Sequence, residues 1–358
     1  MRSGALFVLL VVALSASNVG AQIGAATGLI SPRAAVAADD VGPRTDGQIN
    51  GSSWSVNAPI PEPRGSAQGS TIASGDGSLI YSIGGGCCHS DYPDGFNRVW
   101  AYSPSDDSWS AAAEVPVSEG IRSYGSAVEL NGFIYVFGGV TGGGLSLTVL
   151  DTTWIYDETN DAWFQGANMP DFRFSSAVGT DGAFIWVIGG FKGLGLSDLT
   201  NTVWKYDPST DAYSTGFTNM PRYLARIHGA MLPDGTLHVL GGYYDMDDHW
   251  VYNTRADVWS SAPLMPAGVL DAAVATDGTR IYVAGDNGGA PRPPGHTRIY
   301  DPLSSTWSEG PLMPAPAVNN TSGTIANGVF YVMGGYDGLG VISTNYSLPL
   351  SELSAFSR

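Results

Sequence analysis

The chain has 358 residues, a formal net charge of −17, and 48 glycines and 22 prolines; its only lysines are Lys192 and Lys205. A nucleic-acid binder needs a positive surface to displace counterions, so nucleic acid is excluded as an expected partner. The glycine and proline content, with no long helix-forming stretch, points to an all-β fold of short strands and tight turns.

The N-terminus reads as a targeting segment. Arg2 supplies a small positive region, Ala5 to Ala16 form an apolar run, and Val19-Gly20-Ala21 offers small residues for cleavage after Ala21. The run is shorter than the ~20 apolar residues of a membrane span. Residues 1–21 are therefore expected to be a signal peptide, and the mature protein to be secreted or periplasmic, without membrane insertion. Residues 22–50 are Ala/Gly-rich and aperiodic, as in a flexible linker. Residues 351–358 are expected to be a C-terminal tail.

Between these segments the chain repeats itself. Six alternating apolar runs end in glycine: Leu79–Gly85, Ile134–Gly139, Ile185–Gly190, Leu237–Gly242, Ile281–Gly285 and Phe330–Gly335. Five of them end in a double glycine; the fifth in order ends in Gly285-Asp286. An Asn-Gly or Asp-Gly pair stands before each run, as at Asn131-Gly132 and Asp181-Gly182. Such pairs tolerate the positive φ of hairpin turns, so each run is the second strand of a hairpin. The first strands are built from small residues such as Gly125-Ser126-Ala127, which suit strands converging on an axis.

Downstream of each of the first five runs stands an aromatic pair seven residues apart: Tyr102/Trp109, Tyr156/Trp163, Tyr206/Tyr213, Tyr252/Trp259 and Tyr300/Trp307. These tyrosines recur every 46 to 54 residues. The third strands carry Trp-x-Tyr, or Arg298-x-Tyr300 in the fifth copy, and the fourth end in Met-Pro at Met169, Met220, Met265 and Met313. Four antiparallel strands per repeat describe one propeller blade.

The double glycine, the spaced Tyr and Trp, and the Met-Pro link resemble the kelch repeat over about residues 54–346. The resemblance implies a six-bladed kelch-type β-propeller over residues 51–350, with channel-face loops as the usual ligand surface. The sixth repeat has room for one more strand, around Val341 to Leu348, and no second aromatic pair. Trp54, followed by Ala58-Pro59-Ile60-Pro61, is expected to bring an N-terminal strand that completes that blade and closes the ring.

Function is sought where the repeat diverges, because loops on a rigid scaffold carry it. The entry links bear Arg64, Arg122, Arg173 and Arg226, then Asp271, then Asn319 and Asn320. The arginines are expected near one common position in their blades. Loops after the glycines add Phe191, Lys192, Tyr243, Tyr244, Asp286 and Tyr336. Arginine forks bind carboxylates, so an acidic peptide or glycan, or a protein presenting one, is the expected partner of a monomer. The competing reading of each arginine is a bond to neighbouring blade backbone. Cys87 and Cys88 are adjacent and, after export, form a vicinal disulfide or remain thiols. The histidines show no metal-ligand spacing, and the Asp245, Asp247 and Asp248 loop lacks the Gly and distal Glu of an EF-hand; neither metal nor cofactor is expected.

Two enzyme families share these blades. The chain departs from galactose oxidase, whose copper site needs tyrosines, histidines and a Tyr–Cys crosslink. It is similar in size, export and arginine-lined mouth to the N-acetylneuraminate epimerase (sialic acid mutarotase) type. That resemblance would cast Glu119 near Arg122, or Asp171 near Arg173, as acid or base. The leading reading is a non-catalytic, ligand-binding scaffold.

Overall fold

A computed structural model describes residues 53–62, 70–85, 97–116, 126–142, 147–195, 197–285, 295–314, 321–335 and 342–355. They form six four-stranded antiparallel sheets, the blades, and one small ribbon of Val140–Thr141 with Thr148–Val149. Blade 1 runs Ser70–Ala73, Ile80–Ile83, Val99–Ser103, Ser108–Ala112 from axis to rim. Blade 2 is Ser126–Leu130, Phe133–Phe137, Thr153–Asp157, Ala162–Gln165. Blade 3 is Ala177–Thr180, Ile185–Ile188, Val203–Asp207, Ala212–Ser214. Blade 4 is His228–Met231, Thr236–Leu240, His249–Asn253, Val258–Ser261. Blade 5 is Ala273–Thr276, Ile281–Ala284, Thr297–Asp301, Thr306–Glu309.

Blade 6 takes three strands from the C-terminal region, Ser322–Ala326, Val329–Met333 and Asn345–Pro349, and its rim strand, Ser55–Val56, from the N-terminal one. Ser55 pairs Ser347 and Val56 pairs Tyr346. Trp54 is buried in that blade's core, and its indole donates to the Pro311 carbonyl at 3.2 Å. The expected closure is therefore present. The third strand begins at Asn345, later than the expected Val341, which lies outside the described residues. A 3-10 turn, Leu350–Ala355, follows and buries Leu353 beside Trp54. Part of the expected tail thus packs on blade 6.

Each innermost strand packs against those of both neighbouring blades, from blade 1 round to blade 6 and back. The convergence leaves no room for side chains at several positions. A Cβ on Gly229 would overlap the Val178 carbonyl, and one on Gly323 would stand 2.8 Å from Ala273 Cβ.

The aromatic repeat is an inter-blade clasp. The paired residues face each other across the third and fourth strands, with ring centroids 4.8–5.1 Å apart. Tyr102, Tyr156, Tyr206 and Tyr252 donate their hydroxyls to Asp107, Asp161, Asp211 and Asp257 at 2.7 Å. Burial, then the bonded carboxylate, holds these phenols well above their usual range. Three of the clasps grip a single residue of the preceding blade by both its backbone groups. Asp107 accepts the Ala58 amide at 2.7 Å, while Trp109 donates to the Ala58 carbonyl at 2.9 Å. Asp161 and Trp163 hold Ala113 in the same way, and Asp257 and Trp259 hold Thr218.

The departures obey the same logic. Trp307 of blade 5 grips Pro263, which has no N–H to donate, and Ser305 stands there in place of the aspartate. Tyr213 has no indole, and its hydroxyl instead shares a 2.5 Å bond with Thr153 of blade 2.

Candidate functional site

The inter-blade links and the glycine-ended loops meet on one face, and their meeting explains the double glycine. Gly139 donates to the Arg173 carbonyl at 2.9 Å, and Gly190 to the Leu224 carbonyl at 2.8 Å. The glycine before each holds a positive φ, 60° at Gly138 and 62° at Gly189, directly beneath that crossing link. A Cβ on Gly138 would overlap the Arg173 carbonyl; one on Gly189 would sit 2.9 Å from the Leu224 carbonyl and one on Gly241 3.0 Å from the Val269 carbonyl. Arg173, Leu224 and Val269 are therefore equivalent positions.

Two residues further on, Ser175, Arg226 and Asp271 share a second position, all with φ between 52° and 59°. The Arg226 amide donates to Ser175 at 3.0 Å and the Thr321 amide to Asp271 at 2.9 Å, tying neighbouring links together. Arg226 thus does not share Arg173's position; it lies two residues along. Link spacing in the sequence varies by enough to hide that offset.

Of the four link arginines expected at the mouth, the two that are described, Arg173 and Arg226, face inward. Arg173 is 2% exposed. It donates to the Gly189 carbonyl at 2.7 Å and to Thr202 Oγ1 at 3.0 Å, with its guanidinium carbon 3.7 Å from the Trp204 ring centre. Burial lowers its pKa to about 10, leaving it charged at neutral pH. Arg226 forms a buried ion pair with Asp271 of the next link. His228, beside the pair, is pushed down by burial and stays neutral. In blade 5 the capping role of Arg173 passes to Arg298, which donates to the Gly285 carbonyl at 2.9 Å.

Asp171 sits on an exposed turn, where its carboxylate accepts the Phe172 amide at 2.9 Å. Tyr243 is half-buried and donates its amide to the Ala225 carbonyl at 3.0 Å. Arg64, Cys87, Cys88, Glu119, Arg122, Asp286, Asn319, Asn320 and Tyr336 lie outside the described residues.

Among the described residues this face exposes aromatic rings and a run of carboxylates, with Arg222 and Lys192 as its exposed cations. Phe172 and Tyr223 occupy the same position on successive links, one residue before Arg173 and Leu224, and are 48% and 62% exposed. Tyr244, in the loop after Gly242, is 56% exposed. Beneath them runs a continuous aromatic layer. Phe174 stacks on Phe191 at 5.0 Å, Phe191 meets Tyr243 at 6.5 Å, and Tyr243 meets Tyr244 edge-on at 4.9 Å. Phe174 and Phe191 belong to an apolar cluster of their own with Val140, Val149 and Ala225. Asp245, Asp247 and Asp248 follow Tyr244; Arg222, beside Tyr223, approaches Asp245 at 4.0 Å and Asp248 at 3.9 Å.

One buried polar pair escaped the sequence reading. His238 Nδ1 and His249 Nε2 lie 2.8 Å apart between blades 4 and 5, packed against Tyr300 and Trp307. Adjacent strands bring them together, and no spacing rule on one strand reveals that. Burial lowers His238 to about 4; burial and then His238 lower His249 to about 3. Both are neutral at pH 7, and the unfolded chain takes up protons first as pH falls below about 6.5. Their contribution to stability is full above that pH and is lost as pH falls towards 4. Glu158, raised to about 7 by burial and then by Glu129, acts in the opposite sense across the same range. The measurable quantity is therefore a difference: urea midpoints from pH 7.5 to 4.5 should fall less steeply in His238→Gln/His249→Gln than in the wild type. Parallel slopes would mean that the pair is not neutral in the fold. Among the described residues no group of three or more His, Cys, Asp or Glu is arranged to hold a metal.

The Kelch motif family model matches residues 121–170 and 173–216. Those two segments take in the described strands of blades 2 and 3. Six four-stranded blades closed into a ring accompany these matched repeats. The chain is a kelch-repeat β-propeller. This propeller is 28% identical to human Kelch-like protein 23 over 162 residues, 44% of this chain and 28% of that protein. It is 27% identical to mouse Kelch-like protein 35 over 187 residues, 52% of this chain and 30% of that protein. The kelch match thus spans under a third of these relatives' own length. The solved structure of YjhT shares the propeller's fold, with a TM-score of 0.62 at 14% identity over 80% of this chain and 95% of that one.

Proposed function

We propose that this propeller is an exported scaffold that binds a protein partner on its link face, without catalysis. One observation carries the reading. Three of the four strongly exposed aromatic side chains among the described residues, Phe172, Tyr223 and Tyr244, stand on that face; the fourth, Phe164, is on the rim. Exposed aromatics clustered on rigid supports are typical of binding surfaces. The Kelch-like relatives support protein binding as the kind of function. Export rests on the N-terminal segment of residues 1–21.

The test compares two surfaces. The purified protein and its variants are immobilised and offered the extracellular proteins of the source. Retained partners should be lost in Phe172→Ser/Tyr223→Ser/Tyr244→Ser and kept in Phe164→Ser. Loss in the rim variant alone would move the site off this face. The mature N-terminus, read by mass spectrometry, should begin after Ala21. A sialate-mutarotase-like activity has less behind it. Arg173 and Arg226 are engaged inside the protein, and Asp171 is bound to a turn amide, so none of the three is poised around a substrate carboxylate.

A further inference from the structure

The chemistry of the partner follows from what surrounds the exposed rings. Tyr223 and Tyr244 stand on segments that pack together, the link Tyr223–Ala225 and the loop that starts at Gly242. The Tyr243 amide bonds to Ala225, and Leu224 would touch a Cβ on Gly242 at 3.2 Å. Three carboxylates, Asp245, Asp247 and Asp248, follow Tyr244, and among the described residues Arg222 is the cation that approaches them, while Lys192 stands exposed in the blade 3 loop. The Arg222 distances of 4.0 and 3.9 Å are at the outer limit of an ion pair, and its side chain is half exposed. One loosely held guanidinium leaves this corner net negative. Asp171 adds a further carboxylate beside Phe172, in a protein of net charge −17. Arg173 and Arg226 are not on this surface: they are 2% and 5% exposed and turn inward to Gly189, Thr202 and Asp271.

Resting on the scaffold reading above, we infer that the link face over blades 3 and 4 receives an arginine-bearing polypeptide segment of the partner. Its guanidinium groups stack on Tyr223, Tyr244 and Phe172 and pair with Asp245 and Asp247. Exposed rings favour a cation over their faces, and the planar guanidinium stacks and forks where an ammonium acts as a point charge. The protein shows that chemistry internally, where Arg173 lies 3.7 Å over Trp204. The inference reverses the charge of the ligand that the arginine count in the sequence suggests. Burial raises Asp248, as do its neighbours Asp245 and Asp247, and a cation docking there would relieve that cost.

The experiment uses the full chain and a short fluorescent Gly/Ser peptide carrying several arginines, with matched lysine and glutamate peptides, at physiological salt. Fluorescence anisotropy should rank arginine over lysine, with no binding of glutamate. Tyr223→Ala/Tyr244→Ala and Asp245→Asn/Asp247→Asn should each weaken the arginine peptide by about threefold to tenfold. Asp157→Asn/Asp207→Asn removes the same charge from the opposite face and should leave Kd unchanged. Asp157 and Asp207 cap turns by accepting the Thr159 and Ser209 amides, and asparagine keeps that acceptor oxygen; the thermal midpoint of every variant, expected near the wild-type value, shows that it is folded. Equal weakening by the opposite-face variant would reduce the effect to net charge and overturn the inference. Preference for the glutamate peptide would overturn it in favour of an acidic ligand. If the link-face variants lose a captured protein whose cross-linked segment is acidic or uncharged, the scaffold reading stands and this inference falls.

Discussion

Replacing Gly138 by alanine should destabilise the propeller by about 2–5 kcal/mol, combining ~1–2 kcal/mol for a left-handed conformation with ~1–3 kcal/mol for overpacking. The new Cβ would overlap the Arg173 carbonyl, which the Gly139 amide also needs at 2.9 Å. The side chain cannot relax away, because the opposing atom is backbone. Gly132→Ala is the internal control: its φ is 81°, yet nothing lies within 4 Å of a Cβ there. It should cost only the conformational part, about 1–2 kcal/mol. Urea denaturation of both variants separates the two terms. Equal losses would mean that the link does not press on the double glycine as described, and that the motif serves φ alone.

Breaking the Arg226–Asp271 pair from one side should cost about 3–5 kcal/mol, because it strands a buried charge. Both side chains are 5% exposed, and together they join the links that enter blades 4 and 5. Arg226→Met should therefore be severely destabilised. Arg226→Met/Asp271→Asn should recover much of the loss, since the remaining group is uncharged and asparagine tolerates the positive φ of 52°. A double variant no more stable than Arg226→Met would show that the arginine acts through packing and its other contacts. If neither variant lost stability, the pair would be surplus to the fold and free for a ligand.

These two sites mark the boundary of what could be read without coordinates. The hairpins, the blade number and the closing strand were legible, because strand periodicity, Asn-Gly turns and a repeat of 46 to 54 residues are local or self-repeating signals. The clasp was half legible. Tyr and Trp announced themselves by spacing, whereas the aspartate between them acquired a role only when its carboxylate was seen holding the amide of another blade. Arg173 and Arg226, the two link arginines among the described residues, play parts that their spacing did not announce. Distance along the chain suggested a common position, but link length varies, and burial made Arg173 a carbonyl cap and Arg226 half of an ion pair.

The histidine pair shows the same division. His238 and His249 lie on neighbouring strands, and only the hairpin's registration and the tight packing of blade 5 place their nitrogens 2.8 Å apart. The amino-acid sequence by itself determined the architecture, since the strand runs, turn chemistry and aromatic spacing are encoded within about fifty residues and reinforced by repetition. Which polar groups face solvent on the link face was decided by tertiary structure alone. Exposure there depends on contacts between links and loops from different blades, and those contacts turned two arginines inward and left Phe172, Tyr223 and Tyr244 outside.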